Sequence, residues 1–308
     1  MGVAAMNAAS ILHPVLAVAL APLLPGAINR TKAFFAGRRG PPLLQAYFDL
    51  WKLFRKGATY SRTTTWIFRA GPIVNFACLL AALALVPLGR VPAPLAFAGD
   101  FILLAYLLGL GRFFTVVAAL DTGSSFEGMG ASREVQFATF AEPALLVGLA
   151  ALARQAQDLS LSATYAGLSA AVWSHALPLL ALVAVGFFVL FLAENCRIPV
   201  DDPNTHLELT MIHEVMVLDH GGVDFGFVQW AASLKLWVLG ALVVGLFPPG
   251  PLGCPLADLA AGVGGLLVLA IATGAVESSL ARIRLLRVPQ LLVGAGVLCA
   301  LGLLLTFR

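Results

Sequence analysis

The sequence predicts an all-α integral membrane protein with about eight transmembrane helices and an amphipathic helix at the cytoplasmic interface. Three observations carry this reading. Hydrophobic residues make up 60% of the 308-residue chain and charged residues only 11%, less than half of the roughly 25% typical of a soluble domain. Mean hydropathy is +0.92. The apolar residues fall in runs of about 20, long enough to cross a bilayer as helices. With so few charges the chain cannot clothe a water-facing surface.

The first span is expected near 10–29. MGVAAMNAASILHP before and within it lacks the basic n-region of a cleaved signal peptide, so the segment is expected to stay as an anchor. The next two spans are placed near 66–88 and 97–120. The fourth, near 136–153, is short and contains Pro143. The fifth is placed near 173–193, and the last three near 228–247, 259–279 and 289–307. APLLPG, VPLGRVPAP and LFPPGPLGCP supply the Pro and Gly that end helices. No internal repeat is visible, and residues 1–308 are read as a single membrane domain.

Between the first two spans, LLQAYFDLWKLFRK (43–56) has helical periodicity. Leu43, Leu44, Tyr47, Leu50, Trp51 and Phe54 form one face, while Gln45, Asp49, Lys52 and Lys56 form the other. Such a segment suits the membrane interface or a docking surface for a cytoplasmic partner.

Basic residues set the orientation. The first connection holds Arg30, Lys32, Arg38, Arg39, Lys52, Arg55, Lys56 and Arg62; the third Arg133; the fifth Arg197; the seventh Arg282, Arg284 and Arg287. The opposite side has Arg90, Arg154 and Arg308. Basic loops mark the cytoplasm, so both termini are expected on the outer face.

Inside spans a charge costs about 2.5–3.5 kcal/mol on insertion scales, so each one is a candidate for function. Asp100, Arg112, Glu142, Glu194, Lys235 and Glu277 are the proton-path candidates. At about 1.5 Å per residue, Glu142 and Lys235 lie roughly 10 Å from the cytoplasmic face, and Arg112 lies about 12 Å from it. Glu194 and Glu277 sit near cytoplasmic helix ends. Asp100 stands apart at the outer start of its span, where the helix dipole favours a carboxylate.

LFLAENCRIPVDDPNTHLELTMIHEVMVLDH (190–220) is the densest charged stretch. His206, His213 and His220 recur every seven residues, a spacing that would align them on one helix side. His213–Glu214 does not complete a zinc-protease HExxH, and Cys78, Cys196, Cys254 and Cys299 contain no CxxC pair. No metal site or cofactor is expected in this chain.

GRRGPPLLQAYFDLWKL (37–53), SREVQFATFAEP (132–143) and AENCRIPVDDPNTHLELTMIHE (193–214) occur in that order, with LKLWVLG in span six and ESSLARIRLLRVPQ (277–290) before span eight. Together they resemble the membrane-embedded subunit 1 family of respiratory complex I, over nearly the whole chain. Glu194, Arg197, Pro199, Asp201 and Glu208 match the family loop, but Asn204 and His206 stand where quinone-reducing members usually carry acids. The THLELTMIHEVMVL form is similar to the formate hydrogenlyase and hydrogenase-4 branch, the membrane subunits of group 4 membrane-bound [NiFe]-hydrogenases.

That resemblance implies a non-catalytic subunit of an oxidoreductase complex in a bacterial or archaeal cytoplasmic membrane. It would dock a peripheral redox arm and link electron transfer to proton or sodium movement through a buried polar axis that includes Glu142. Expected partners are the [NiFe]-hydrogenase large and small subunits, iron–sulfur subunits and antiporter-like membrane subunits, with the [NiFe] centre and clusters held by those partners; nucleic acid is not among them. The arm-facing candidates are Arg38, Arg39, Gln45, Asp49, Lys52, Arg133, Glu134, Arg197, Asp201, Asp202, His206, Glu208, His213 and Glu214. The rivals are a quinone-site subunit of complex I, a passive anchor and a stand-alone ion transporter. Transporters often carry inverted repeats, which this chain lacks.

Overall fold

A computed structural model describes residues 8–201, 211–247, 250 and 252–307. Its first apolar run is not one straight helix. Helix α1 (Ala8–Leu20) and helix α2 (Leu23–Phe35) meet at a 52° bend. Pro22 lies at the break. A proline removes its own N–H and crowds the carbonyl four residues back, here that of Val18. Side chains from elsewhere meet the freed carbonyls: Trp230 Nε1 donates to Val18 O at 3.1 Å and the Tyr47 hydroxyl to Ala19 O at 2.7 Å. Helix α2 also runs past the expected end at 29, so Arg30 and Lys32 ride on a helix instead of in a connection.

Helix α3 (Gln45–Phe54) is the expected amphipathic segment. Leu50 is buried, and Phe54 packs edge-on against Phe227 and Trp230 at 5.5 and 5.9 Å. Leu43, Leu44, Phe48 and Trp51 remain exposed, so only part of the apolar face meets the protein. The helix lies close: a Cβ at Gly26 would come within 2.1 Å of the Leu43 carbonyl oxygen.

Helices α4 (Trp66–Leu83) and α5 (Asp100–Asp121) pack through small residues, Gly71 against Ala118 and Gly111 against Asn75. Small residues allow the close backbone approach by which membrane helices associate. Helix α6 (Ser125–Ala156) is much longer than the span expected at 136–153. Its 32 residues extend about 48 Å, against roughly 30 Å for the hydrocarbon core. Arg133 and Glu134 therefore sit on this helix, not in a loop.

Short helices α7 (Leu161–Ala166) and α8 (Ala170–His175) precede α9 (Leu177–Glu194). Helix α10 (Gly222–Gly245) is the most deeply buried span, with Trp237 only 1% exposed. Helices α11 (Pro255–Ser279) and α12 (Val288–Leu305) complete the bundle, and α12 packs on α6 and α9. Counting the bent α1–α2 pair as one, eight spans are long and apolar enough to cross a membrane, and no strand occurs among the described residues.

The bend and the α2–α3 contact should both be sensitive to small changes. Tyr47→Phe, which strips one carbonyl of its donor, should cost about 0.5–1.5 kcal/mol. Gly26→Ala should cost more, because backbone must move. Thermal unfolding of the detergent-solubilised protein would rank the two.

Candidate functional site

The Arg112 guanidinium, carried by α5, holds three carboxylates from two other helices. Its Nε donates to Glu134 Oε1 at 3.0 Å, one terminal nitrogen to Glu142 Oε1 and the other to Glu194 Oε2. Lys235 Nζ on α10 reaches Glu194 Oε2 at 2.8 Å. His213, in the loop ahead of α10, sets its Nδ1 3.8 Å from Glu134 Oε2. Four spans and one loop thus converge on six ionisable groups. The side chains of Arg112, Glu134 and Glu194 are 9–12% exposed, whereas that of Glu142 is 43% exposed.

The residue types follow from the geometry. A guanidinium presents five donors in a planar fork, whereas an ammonium is a point charge; the fork gives each of the three carboxylates its own nitrogen. The cluster contains three acids and two formal cations, Arg112 and Lys235. The sixth member decides its balance: a protonated His213 makes the group formally neutral, and a neutral one leaves it at −1. Burial disfavours the charged imidazole. The neighbouring Cys196 sulfur and the Glu134 carboxylate outweigh burial and hold the pKa above the ordinary histidine range. Cys196 is itself pushed up by burial and stays a neutral thiol near pH 7.

Beside this cluster, a cavity of about 370 Å³ lies between α2, α3 and α10. Asn29, Gln45, Asp49, Glu194, Asn195, His213, Glu214, Gln229, Ser233 and Lys235 line it. Gln45 donates to Asp49 at 2.9 Å across one turn of α3. The first half of the interfacial helix's polar face, Gln45 and Asp49, is therefore turned inward over a polar chamber, while Lys52 and Lys56 stay exposed.

Of the proton-path candidates, the structure brings together Arg112, Glu142, Glu194 and Lys235, and adds two groups expected at the arm interface, Glu134 and His213. It leaves two candidates out. Asp100 accepts from Ser160 Oγ at 3.0 Å and from Leu161 N at 2.8 Å, which ties α5 to the start of α7. Twelve residues, about 18 Å of helix, separate it from Arg112. Glu277 belongs to a second group, with Lys32 Nζ at 2.8 Å and Arg197 Nη1 at 3.6 Å.

Several arm-facing candidates turn inward as well. Arg197 is 9% exposed against Glu277. Asp201 is 3% exposed, paired with Arg282 at 2.8 Å and accepting from Ile212 N at 3.0 Å. Arg133 donates to Met211 O at 2.7 Å. Arg38, Arg39 and Lys52 stay exposed, and Glu214 lines the chamber. Asp202, His206 and Glu208 lie outside the described residues.

No helix runs from His213 to His220: a 3₁₀ turn at Glu214–Val217 lies between them. His220 instead stacks on Phe68, ring centroids 3.9 Å apart, and burial lowers its pKa to about 4. Sequence reading missed Glu127, a buried first-turn carboxylate of α6 that accepts from Asp219 N at 3.0 Å. Its signal was an acid just after Ser124–Ser125, the pattern of a helix start. Among the described residues no group of three His, Cys, Asp or Glu side chains is placed to hold a metal.

A family profile described as NADH dehydrogenase matches residues 7–307. Formate hydrogenlyase subunit 4 of Escherichia coli K12 is 32% identical over 92% of this chain and 94% of its own length. Hydrogenase-4 component C of the same organism is 33% identical over 88% of this chain and 87% of its own. An NADH-quinone oxidoreductase subunit of Anaplasma phagocytophilum is 27% identical over 72% of this chain and 70% of its own. The fold is shared with a chain of the membrane-bound sulfane sulfur reductase, an archaeal respiratory membrane complex. That chain superposes with a TM-score of 0.81 at 22% identity, covering 97% of this chain and 98% of the other.

Arg112→Leu should destabilise the protein by about 3–5 kcal/mol, the cost of stranding a buried charge partner, with Arg112→Lys intermediate; thermal melts in detergent would check the order. His220 gives a pH signature. The folded state keeps it neutral down to about pH 4, while the unfolded chain protonates it near 6.5. Stability should therefore fall as pH drops through that window. The melting temperature of His220→Phe should depend less on pH between 6.5 and 4 than that of the unaltered protein.

Proposed function

This chain belongs to the NADH dehydrogenase family, that of complex I subunit 1, and from that premise we propose that it is the membrane-anchor and energy-coupling subunit of a formate hydrogenlyase/hydrogenase-4-like [NiFe]-hydrogenase complex. The observation that carries the reading is the Arg112 cluster: six ionisable groups from four spans and one loop tied together within a membrane bundle. A passive anchor can place its helices by packing alone, without the desolvation that such a group costs.

In this reading the redox arm docks on the cytoplasmic side, over α3 and the 195–221 loop, and its partners hold the [NiFe] centre and iron–sulfur clusters. Basic loops put that side in the cytoplasm and both termini outside. A redox event at the arm changes the charge or position of the loop, and with it the His213–Glu134 pair. Because His213 sets the net charge of the cluster, a change there alters the electrostatic field at Glu194 and Glu142 and so biases proton movement between them. Water in the polar chamber supplies protons to Glu194 and Lys235.

Glu142 is the exit. Its carboxylate lies within a membrane span yet is 43% exposed, a position untenable against lipid. A neighbouring membrane subunit of the antiporter-like type covers it and takes the proton onward.

One observation favours the runner-up, a quinone-site subunit: the chamber volume of about 370 Å³ lies in the range of small-molecule pockets. Such pockets are mostly apolar, and this lining of acids, amides and a lysine suits water better.

Glu142→Gln and Lys235→Ala test the reading in the purified complex reconstituted into liposomes. Both should leave assembly and hydrogen turnover largely intact. Proton movement per turnover should drop by on the order of a hundredfold, the usual worth of a positioned proton-transfer group. Full coupling at normal turnover in either variant would remove that residue from the path.

A further inference from the structure

The chamber is not the only space against the cluster. On its other side, between α4, α5 and α10, lies a cavity of about 30 Å³ with Asn75, Arg112, Glu134, His213, His220 and Lys235 among its polar lining. A buried water needs roughly 10–15 Å³ and two to four polar partners, so this space suits one or two waters. Of the six, His213 and Lys235 also face the large chamber. These two side chains are the polar partition between the spaces.

The lining contains unmet polar atoms. Nδ1 of His220 is sealed from solvent and hydrogen-bonds to no protein atom, and Nδ1 of His213, equally sealed, has only the Glu134 carboxylate 3.8 Å away, too far for a direct hydrogen bond. His220 as a whole is 8% exposed. A buried polar group left without a partner costs about 1–3 kcal/mol, and water between the rings removes that cost. The fold also goes to some length to hold His220 there. The ring stacks on Phe68 with an interplanar angle of 10°, the backbone N–H of His220 donates to Val217 O at 3.1 Å, and the preceding residue is anchored by Glu127.

We propose that this cavity is a buried-water site joining His220 to His213, and that it gives the Arg112 cluster a second proton entry separate from the chamber. A proton arriving at His220 Nε2 is matched by release of the Nδ1 proton to the water. The water passes one of its own to the Glu134–His213 pair. The water ends as it began, the imidazole ends as its Nε2–H tautomer and must turn over or exchange that proton before the next transfer, and the excess charge rests on the pair. A neutral histidine in this position passes the proton without storing it. The assignment rests on the coupling role proposed above.

The test uses the intact complex in liposomes, reading proton movement per hydrogen turnover. His220→Phe preserves the aromatic stack on Phe68 but removes both nitrogens; it should lower proton movement roughly tenfold or more. His220→Ala leaves a ring-sized gap, and added imidazole should restore much of what that variant loses. A density map of the unaltered complex should show water between the two rings. Unchanged proton movement in His220→Phe, a dry cavity, or a loss that imidazole does not repair would overturn the proposal. Glu142→Gln, measured alongside, separates the two failures. If it too is without effect, the coupling role itself is wrong; if it alone abolishes proton movement, only the second entry is.

Discussion

Three carboxylates set within membrane helices, two of them buried, form a stable arrangement only because one guanidinium reaches all of them. Taking an ion out of water costs several kcal/mol even after relaxation, and the mutual attraction of buried partners offsets this only with good geometry. Arg112 supplies that geometry by directing its fork at Glu134, Glu142 and Glu194, while Lys235 shares Glu194 Oε2 with it. The relative placement of α5, α6, α9 and α10 is thereby specified by charge as well as by packing. Apolar faces alone tolerate small rotations. A three-way ion pair does not, so stability and the proposed path have the same origin.

The cytoplasmic loops are ordered by the same logic on a smaller scale. Glu277 draws Lys32 and Arg197 together, Asp201 is held by Arg282 and Ile212 N, and Ile283 N donates to Pro199 O at 2.9 Å. Arg133 fixes Met211 through its carbonyl. Both ends of the charged loop, at 197–201 and 211–213, are therefore tied to the α11–α12 connection and to α6. This is why His213 arrives beside Glu134. Among the described residues, Arg197 and Asp201 hold the loop itself and do not face a partner.

The bent first span serves the chamber. Pro22 frees the Val18 carbonyl, and the donors that satisfy it and its neighbour come from α10 and α3. The interfacial helix is thus anchored to the break it helps to cap, with Gln45 and Asp49 turned over the cavity. A continuous helix would have kept its carbonyls to itself and left α3 free to lie on lipid.

By itself the sequence determined the class, the number of spans and four members of the cluster. Apolar runs of 20 residues have one physical solution, and a charge among them stands out wherever it occurs. Hence Arg112, Glu142, Glu194 and Lys235 were legible one at a time, as was the amphipathic 43–56 segment. What tertiary structure decided is which charge meets which. Glu134 looked like a loop residue because SSFEGMGASRE is too polar to read as part of a span, yet α6 continues through it. Asp100 and Glu277 carry the same local signature as Glu142, but one caps α7 and the other pairs with Lys32. The seven-residue histidine spacing suggested a helix that a 3₁₀ turn interrupts. Partner identity depends on helix rotation, length and depth, which are set by contacts between distant segments, and no stretch of sequence read alone contains them.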